Sequence, residues 1–163
     1  MADVAVRDLM QTEVPTAAPD TRVGALARLM VEHGVPGIPI IDQGELVGIV
    51  TEADLIQREA EVDVPKPAVF FDAVFSADAG VPLEEELRKV TATTAGELMS
   101  APVISILESA TLDQLATLII QYGVNPVPVV NDDRQIVGLA TRRGLIEMIA
   151  RLETGEGAAT SRR

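Results

Sequence analysis

The chain has 163 residues, with 25 acidic against 13 basic side chains, a formal net charge of −12 and no cysteine. This balance argues against a nucleic-acid face, which needs clustered cations for phosphate, and against docking on an anionic membrane. Without cysteine there is neither disulfide nor thiolate chemistry. At 47% hydrophobic, the chain can form one compact domain or two intimate halves. No apolar run approaches the ~20 residues of a membrane helix. The start MADVAVRDLM lacks the pattern of a secretory leader, so the expectation is a cytoplasmic protein.

Ala5 to Met10 reads as a short amphipathic turn, and Val14 to Ala18 as extended, kept from helix by Pro15 and Pro19. Thr21 or Asp20 is placed to cap a helix whose apolar residues Val23, Leu26, Ala27 and Met30 fall at i, i+3, i+4 and i+7. Gly34 ends it. Ile38–Ile41 is a buried strand, Gln43-Gly44 a turn, and Glu45–Val50 the second strand of a hairpin. Thr51 then starts a helix running to about Glu59.

The same order returns. VGIVTEADLI (Val47–Ile56) recurs as VGLATRRGLI (Val137–Ile146), and GVPGIPII (Gly34–Ile41) as GVNPVPVV (Gly123–Val130). VGALARLMVEHG (Val23–Gly34) recurs as LDQLATLIIQYG (Leu112–Gly123), and RDLM (Arg7–Met10) as GELM (Gly96–Met99). One extra residue, near Asp132 and Asp133, keeps the copies in register. One structural unit is therefore written twice. Residues 1–60 form repeat 1, 61–93 an insertion with helical character, 94–152 repeat 2, and 153–163 a polar tail expected to be loose. The insertion holds all three phenylalanines, Phe70, Phe71 and Phe75, and an expected helix Pro82–Val90.

The DLM/ELM openings, the GIPII and PVPVV strands, and the hairpin ending in VGIVT before a helix resemble the cystathionine-β-synthase-type (CBS) domain. The resemblance covers both repeats, roughly four-fifths of the chain. It implies an α/β fold, a tandem pair (Bateman module) of two small mixed sheets packed about a pseudo-twofold axis with flanking helices. It also implies an adenosine-containing ligand in the cleft between the repeats, a sensor role, and assembly as a homodimer.

In this family the ligand signature is a glycine, hydrophobics, then Thr or Ser, two residues, and Asp. Gly48, Thr51 and Asp54 match it. Two carboxylate oxygens suit the vicinal hydroxyls of ribose, and a hydroxyl beside a helix start suits phosphate. By family analogy the adenine walls are Pro36, Gly37, Ile38 and Pro39, with the extended stretch Ala101, Pro102, Val103 and Ile104 of the other repeat. The plain alternative is that Thr51-x-x-Asp54 is a capping box that begins a helix.

Repeat 2 keeps Thr141 but has Gly144 where the Asp would stand. Its pocket is expected to be empty, weak, or filled by something other than a nucleoside. Arg142 and Arg143 oppose the helix dipole at this start, and one of them is placed to reach phosphates held at the Thr51 site. His33, at a helix end, has no second His or Cys to make a metal or catalytic site. Glu84–Glu86 read as a solvated helix face, with Mg²⁺ as the alternative.

The expected function is a regulatory sensor for AMP, ADP or ATP, the last with local Arg or Mg²⁺ help, or for S-adenosylmethionine. The acidic charge leans this towards AMP or ADP. The sensor signals to a separate protein target. The alternative is a ligand-free oligomerisation or scaffold module acting through protein contacts. No nucleophile–base constellation supports an enzyme.

Overall fold

The computed structural model describes residues 4–60 and 92–155. Phe70, Phe71, Phe75, the expected helix at 82–90 with its three glutamates, and the tail beyond 155 lie outside the described residues. The described elements begin with a 3-10 turn, Val6–Asp8. Repeat 1 follows with α1 (Val23–His33), β1 (Gly37–Asp42), β2 (Glu45–Thr51) and α2 (Glu52–Glu59). Repeat 2 gives α3 (Ala95–Leu98), β3 (Ile106–Leu107), α4 (Leu112–Tyr122), β4 (Val127–Val130), β5 (Ile136–Ala140) and α5 (Arg142–Thr154).

The helices α1 and α4 are equivalent, and the same positions are buried in both: Val23, Leu26 and Met30 in one, Leu112, Leu115 and Ile119 in the other. Leu26 and Leu115 are fully enclosed, each worth about 1.5–3 kcal/mol of transfer from water. Both helices stop at a left-handed glycine, Gly34 at φ 61° and Gly123 at φ 62°, a conformation that side chains disfavour. The starts differ. Thr111 caps α4, its hydroxyl accepting from the Gln114 N–H at 3.2 Å while its own N–H donates to Gln114 Oε1 at 3.0 Å. At α1, neither Thr21 nor Asp20 is the cap. Arg22 holds that position and gives no side-chain bond. The Thr21 hydroxyl instead accepts from Ala18 N–H at 3.2 Å, and the Val23 N–H is satisfied by the Thr93 carbonyl at 3.1 Å.

The two hairpins explain the one-residue slip. Gln43 and Gly44 sit at φ 48° and 79°, the two positive dihedrals of a tight two-residue loop whose twist matches that of its strands. The second hairpin needs three loop residues, Asp132 to Arg134, closed by Arg134 N–H to Asn131 O at 3.0 Å, with Arg134 left-handed at φ 60°. Here β1 pairs antiparallel with β2, and β4 lies between parallel β3 and antiparallel β5. Residue Ala17 adds a parallel bridge beside Ile40. The expected extended segment Val14–Ala18 thus touches the sheet at one residue and is not a full strand. Helix α5 continues to Thr154, past the 152 boundary, and closes on Gly155 at φ 74°.

The opening segment of each sequence repeat packs into the other repeat. Val6, Leu9 and Met10 join the cluster of α4, β4 and α5, whereas Ala95, Leu98 and Met99 join the cluster of α1, β1 and β2. Backbone bridges fix the exchange, Gln11 to Leu139 and Ser100 to Ile49. Gly48 and Gly138, equivalent in the repeats, make room for it. A β-carbon on Gly48 would collide with the Met99 side chain, and one on Gly138 with Met10 and the Gln11 carbonyl. The repeats also meet at Gly37, where an added β-carbon would lie 2.6 Å from Pro126, its own equivalent in repeat 2. Equivalent residues that touch lie on the pseudo-twofold axis.

Candidate functional site

Alternation along β2 aims Ile49 and Thr51 to one side, beyond the bulge that the register shift places at Val47. There the strand faces the extended segment that leads into repeat 2. Ile49 and Thr51 line a cleft of about 380 Å³, closed from repeat 2 by Ser100, Pro102, Ile104, Gly123–Pro126 and Arg142. Its mouth is set by the first residues of α2 (Glu52, Ala53) and of α5 (Arg142). A larger cavity of about 770 Å³ adjoins along the same strand. It is lined by Val47, Pro102 and Val103 and by the tips of both hairpins.

The sequence-derived candidates divide. Thr51, Ile104 and Arg142 line the smaller cleft, from the end of β2, the segment before β3 and the start of α5. Val103 faces the larger cavity, and Ala101 lies exposed between the two. Ile38 and Pro39 are enclosed in the core, Gly37 is buried at the axis against Pro126, and Pro36 gives its carbonyl to the Glu52 N–H at 2.9 Å. Pro36–Pro39 do not line the cleft, and Gly123–Pro126 do. These residues are the repeat 2 copy of Gly34–Gly37, brought across by the twofold relation. The equivalence was readable in the sequence; which copy faces the Thr51 motif was not. Ile49, Glu52, Ser100, Val124 and Asn125 also line the cleft and were not among the expected residues.

Asp54 is 5% exposed. Its Oδ2 accepts from the Thr51 backbone N–H at 2.9 Å and from the Thr51 hydroxyl at 3.2 Å. The capping contact is thus present, and it fixes Thr51 at the cleft edge. In repeat 2 the Thr141 hydroxyl accepts from the Gly144 N–H at 3.0 Å. Leu9 O would lie 3.2 Å from a β-carbon at 144, so any side chain there requires the Leu9 backbone to give way slightly.

The two arginines separate as well. Arg143 is 88% exposed and pairs along the helix with Glu147 at 3.0 Å, away from the cleft. Arg142 lines the cleft. Its backbone N–H donates to Asn125 Oδ1 at 3.0 Å, which ties the start of α5 to the Gly123–Pro126 wall. His33 makes a helix-end hydrogen bond from Nδ1 to the Leu29 carbonyl at 3.0 Å. Among the described residues there is no group of three His, Cys, Asp or Glu side chains placed to hold a metal, and no helix long and apolar enough to cross a membrane.

Two copies of one α/β unit, packed about a twofold with a cleft between their motif helices, define a paired ligand-module architecture. The CBS domain profile matches residues 6–61 and 95–151, and the chain belongs to the CBS domain family. Protein MJ1225 of Methanocaldococcus jannaschii is 26% identical over 146 residues, covering 89% of this chain and 47% of that protein. The chain thus spans about half the length of that relative. The crystal structure of CBSX2 in complex with AMP superimposes with a TM-score of 0.71 at 25% identity, covering 91% of this chain and 98% of that one. The CBS domain pair of MJ0100, in complex with 5′-methylthioadenosine and S-adenosyl-L-methionine, gives a TM-score of 0.64 at 25% identity, with 94% and 98% covered.

Proposed function

We propose that this chain is a regulatory, non-catalytic module that binds one adenosyl ligand in the cleft between its repeats and passes the ligand state to a protein target. The observation that carries the reading is the cleft itself. It sets an aliphatic wall of Ile49, Ile104 and Val124 beside Thr51 and a cation, Arg142, from the other repeat. Aliphatic walls suit the flat face of a base, and a guanidinium suits phosphate or carboxylate. The AMP complex of CBSX2 and the adenosyl complex of MJ0100 support the same ligand class. In this reading the ligand draws the Thr51 hydroxyl away from Asp54 Oδ2, and Asp54, buried and not itself lining the cleft, then takes the ribose hydroxyls.

A thermal-shift panel tests it, with AMP, ADP, ATP with and without Mg²⁺, S-adenosylmethionine and GMP, on wild type and Asp54→Asn. Asn keeps one oxygen for the Thr51 N–H and loses the anionic pair. Wild type should shift with an adenosyl ligand, and the variant should bind that ligand about tenfold or more weakly, since hydrogen bonds to charged groups are worth ~1.5–3 kcal/mol. No shift with any of them at millimolar concentration sinks the reading.

Self-association is a second part of the proposal. Val31 and Ile120 are 83% and 82% exposed, and Ile56 and Ile146 are 70% and 64% exposed. These are equivalent positions on the two repeats, so the apolar face is written twice. Such faces mark contact surfaces, and a homodimer is the assembly we assign to them. Sedimentation of Ile56→Glu with Ile146→Glu as a monomer, against a wild-type dimer, is the expected result.

A further inference from the structure

Glu52 and Arg142 occupy the same position in the two repeats, directly after Thr51 and Thr141, and both line the one cleft. They carry opposite charge, yet neither side chain makes a hydrogen bond or ion pair among the described residues. Two other arginines are engaged: Arg58 with Glu59 and the Ala92 carbonyl, and Arg143 with Glu147. Among the described residues lining the cleft, Arg142 is the one that is basic, in a chain of net charge −12. Among the described residues, an entering anion therefore meets one cation, with one carboxylate lining the same cleft.

Resting on the ligand class proposed above, we infer that Glu52 and Arg142 together fix the charge the cleft accepts. A single phosphoryl or carboxylate group sits at Arg142. A chain of further phosphoryl groups is driven towards Glu52 and is disfavoured. Glu52 is thus a specificity-determining residue that selects a nucleoside monophosphate, or an adenosyl compound with one acidic group, against a triphosphate. Repulsion between solvent-exposed charges is modest and falls with salt, so the selectivity is itself salt-dependent.

Calorimetric titration of AMP, ADP and ATP, each with and without Mg²⁺ and at low and high salt, tests this on wild type, Glu52→Gln and Arg142→Gln. Wild type should bind AMP most tightly and ATP least. Glu52→Gln should raise ATP affinity relative to AMP by roughly threefold to tenfold at low salt, and by less at high salt. Arg142→Gln should weaken all three. Equal changes for AMP and ATP in Glu52→Gln would overturn the inference. So would a wild type that prefers ATP·Mg²⁺ and loses that preference when Glu52 is removed, because Glu52 would then be aiding the polyphosphate. Absence of binding by any nucleotide to wild type overturns the ligand reading itself, a result distinct from unchanged selectivity. Unliganded Tm values, expected to stay close to wild type because both side chains are exposed and unpaired, separate folding defects from either outcome.

Discussion

Replacing Gly48 and Gly138 by alanine tests whether the opening segment of each repeat is built into the other. Both glycines lie in strands, where alanine has no backbone penalty, so any cost comes from the space a methyl group would fill. At Gly48 the obstruction is all side chain: Met99 Cγ at 2.7 Å and Cβ at 3.0 Å, with the sulfur closer still. At Gly138 it includes backbone: Met10 Sδ at 2.5 Å, Cγ at 2.9 Å, and the Gln11 carbonyl oxygen at 2.8 Å. That oxygen accepts from the Leu139 N–H at 2.9 Å, so it cannot retreat without breaking a bridge between segments far apart in sequence.

Overpacking of this kind costs about 1–3 kcal/mol, or a Tm lower by roughly 2–12 °C for a chain of this size. The partners should separate in double mutants followed by urea denaturation. Met99→Ala should recover most of the Gly48→Ala loss, because truncation removes every obstructing atom except Cβ. Met10→Ala should recover only part of the Gly138→Ala loss, because the Gln11 carbonyl stays. Contacting residues couple by ~0.5–3 kcal/mol in such cycles. Gly138→Ala as stable as wild type, or additive behaviour in both cycles, would refute the exchanged packing.

Three further outcomes follow from local geometry. Gly144→Asp should not create a second nucleotide site. With Leu9 O at 3.2 Å from the new β-carbon, it should lower stability by about 1–3 kcal/mol, and ligand titration should still give one site per chain. Thr111→Ala removes the acceptor for the Gln114 N–H at the start of α4 and should cost ~1 kcal/mol in denaturant unfolding. Gln43→Asn should be neutral or stabilising by up to ~1 kcal/mol, because Gln43 stands at φ 48° and Asn tolerates the left-handed region better.

The parts of the fold that depend on neighbouring residues were legible. Helix α1 was visible in its period, its end in Gly34, and the first hairpin in Gln43-Gly44, because each signal reports a local dihedral or face. Even there the start of α1 slipped. Thr21 was expected to cap it, but its hydroxyl serves the preceding turn, and a strand-like contact from Thr93 and Thr94 closes the helix end. Long-range relations were not written in any period. Nothing in RDLM or GELM says that each packs on the other copy, although the glycines at 48 and 138 that receive their methionines stood in the sequence. The same holds for the cleft. The Thr51 motif announced itself, as did the Ala101–Ile104 stretch whose Pro102 and Ile104 line the cleft, but Gly123–Pro126 reach it because the twofold relation, and not proximity in sequence, sets what lies opposite.

A crystal structure of the chain grown with AMP tests the central claim most directly. The account predicts one nucleotide per chain in the roughly 380 Å³ cleft, its base against Ile49, Ile104 and Val124, and its phosphate within hydrogen-bond reach of Arg142 and Thr51. Nucleotide bound beside Thr141 and Gly144 instead, or a cleft that stays empty under saturating AMP and S-adenosylmethionine, would contradict it.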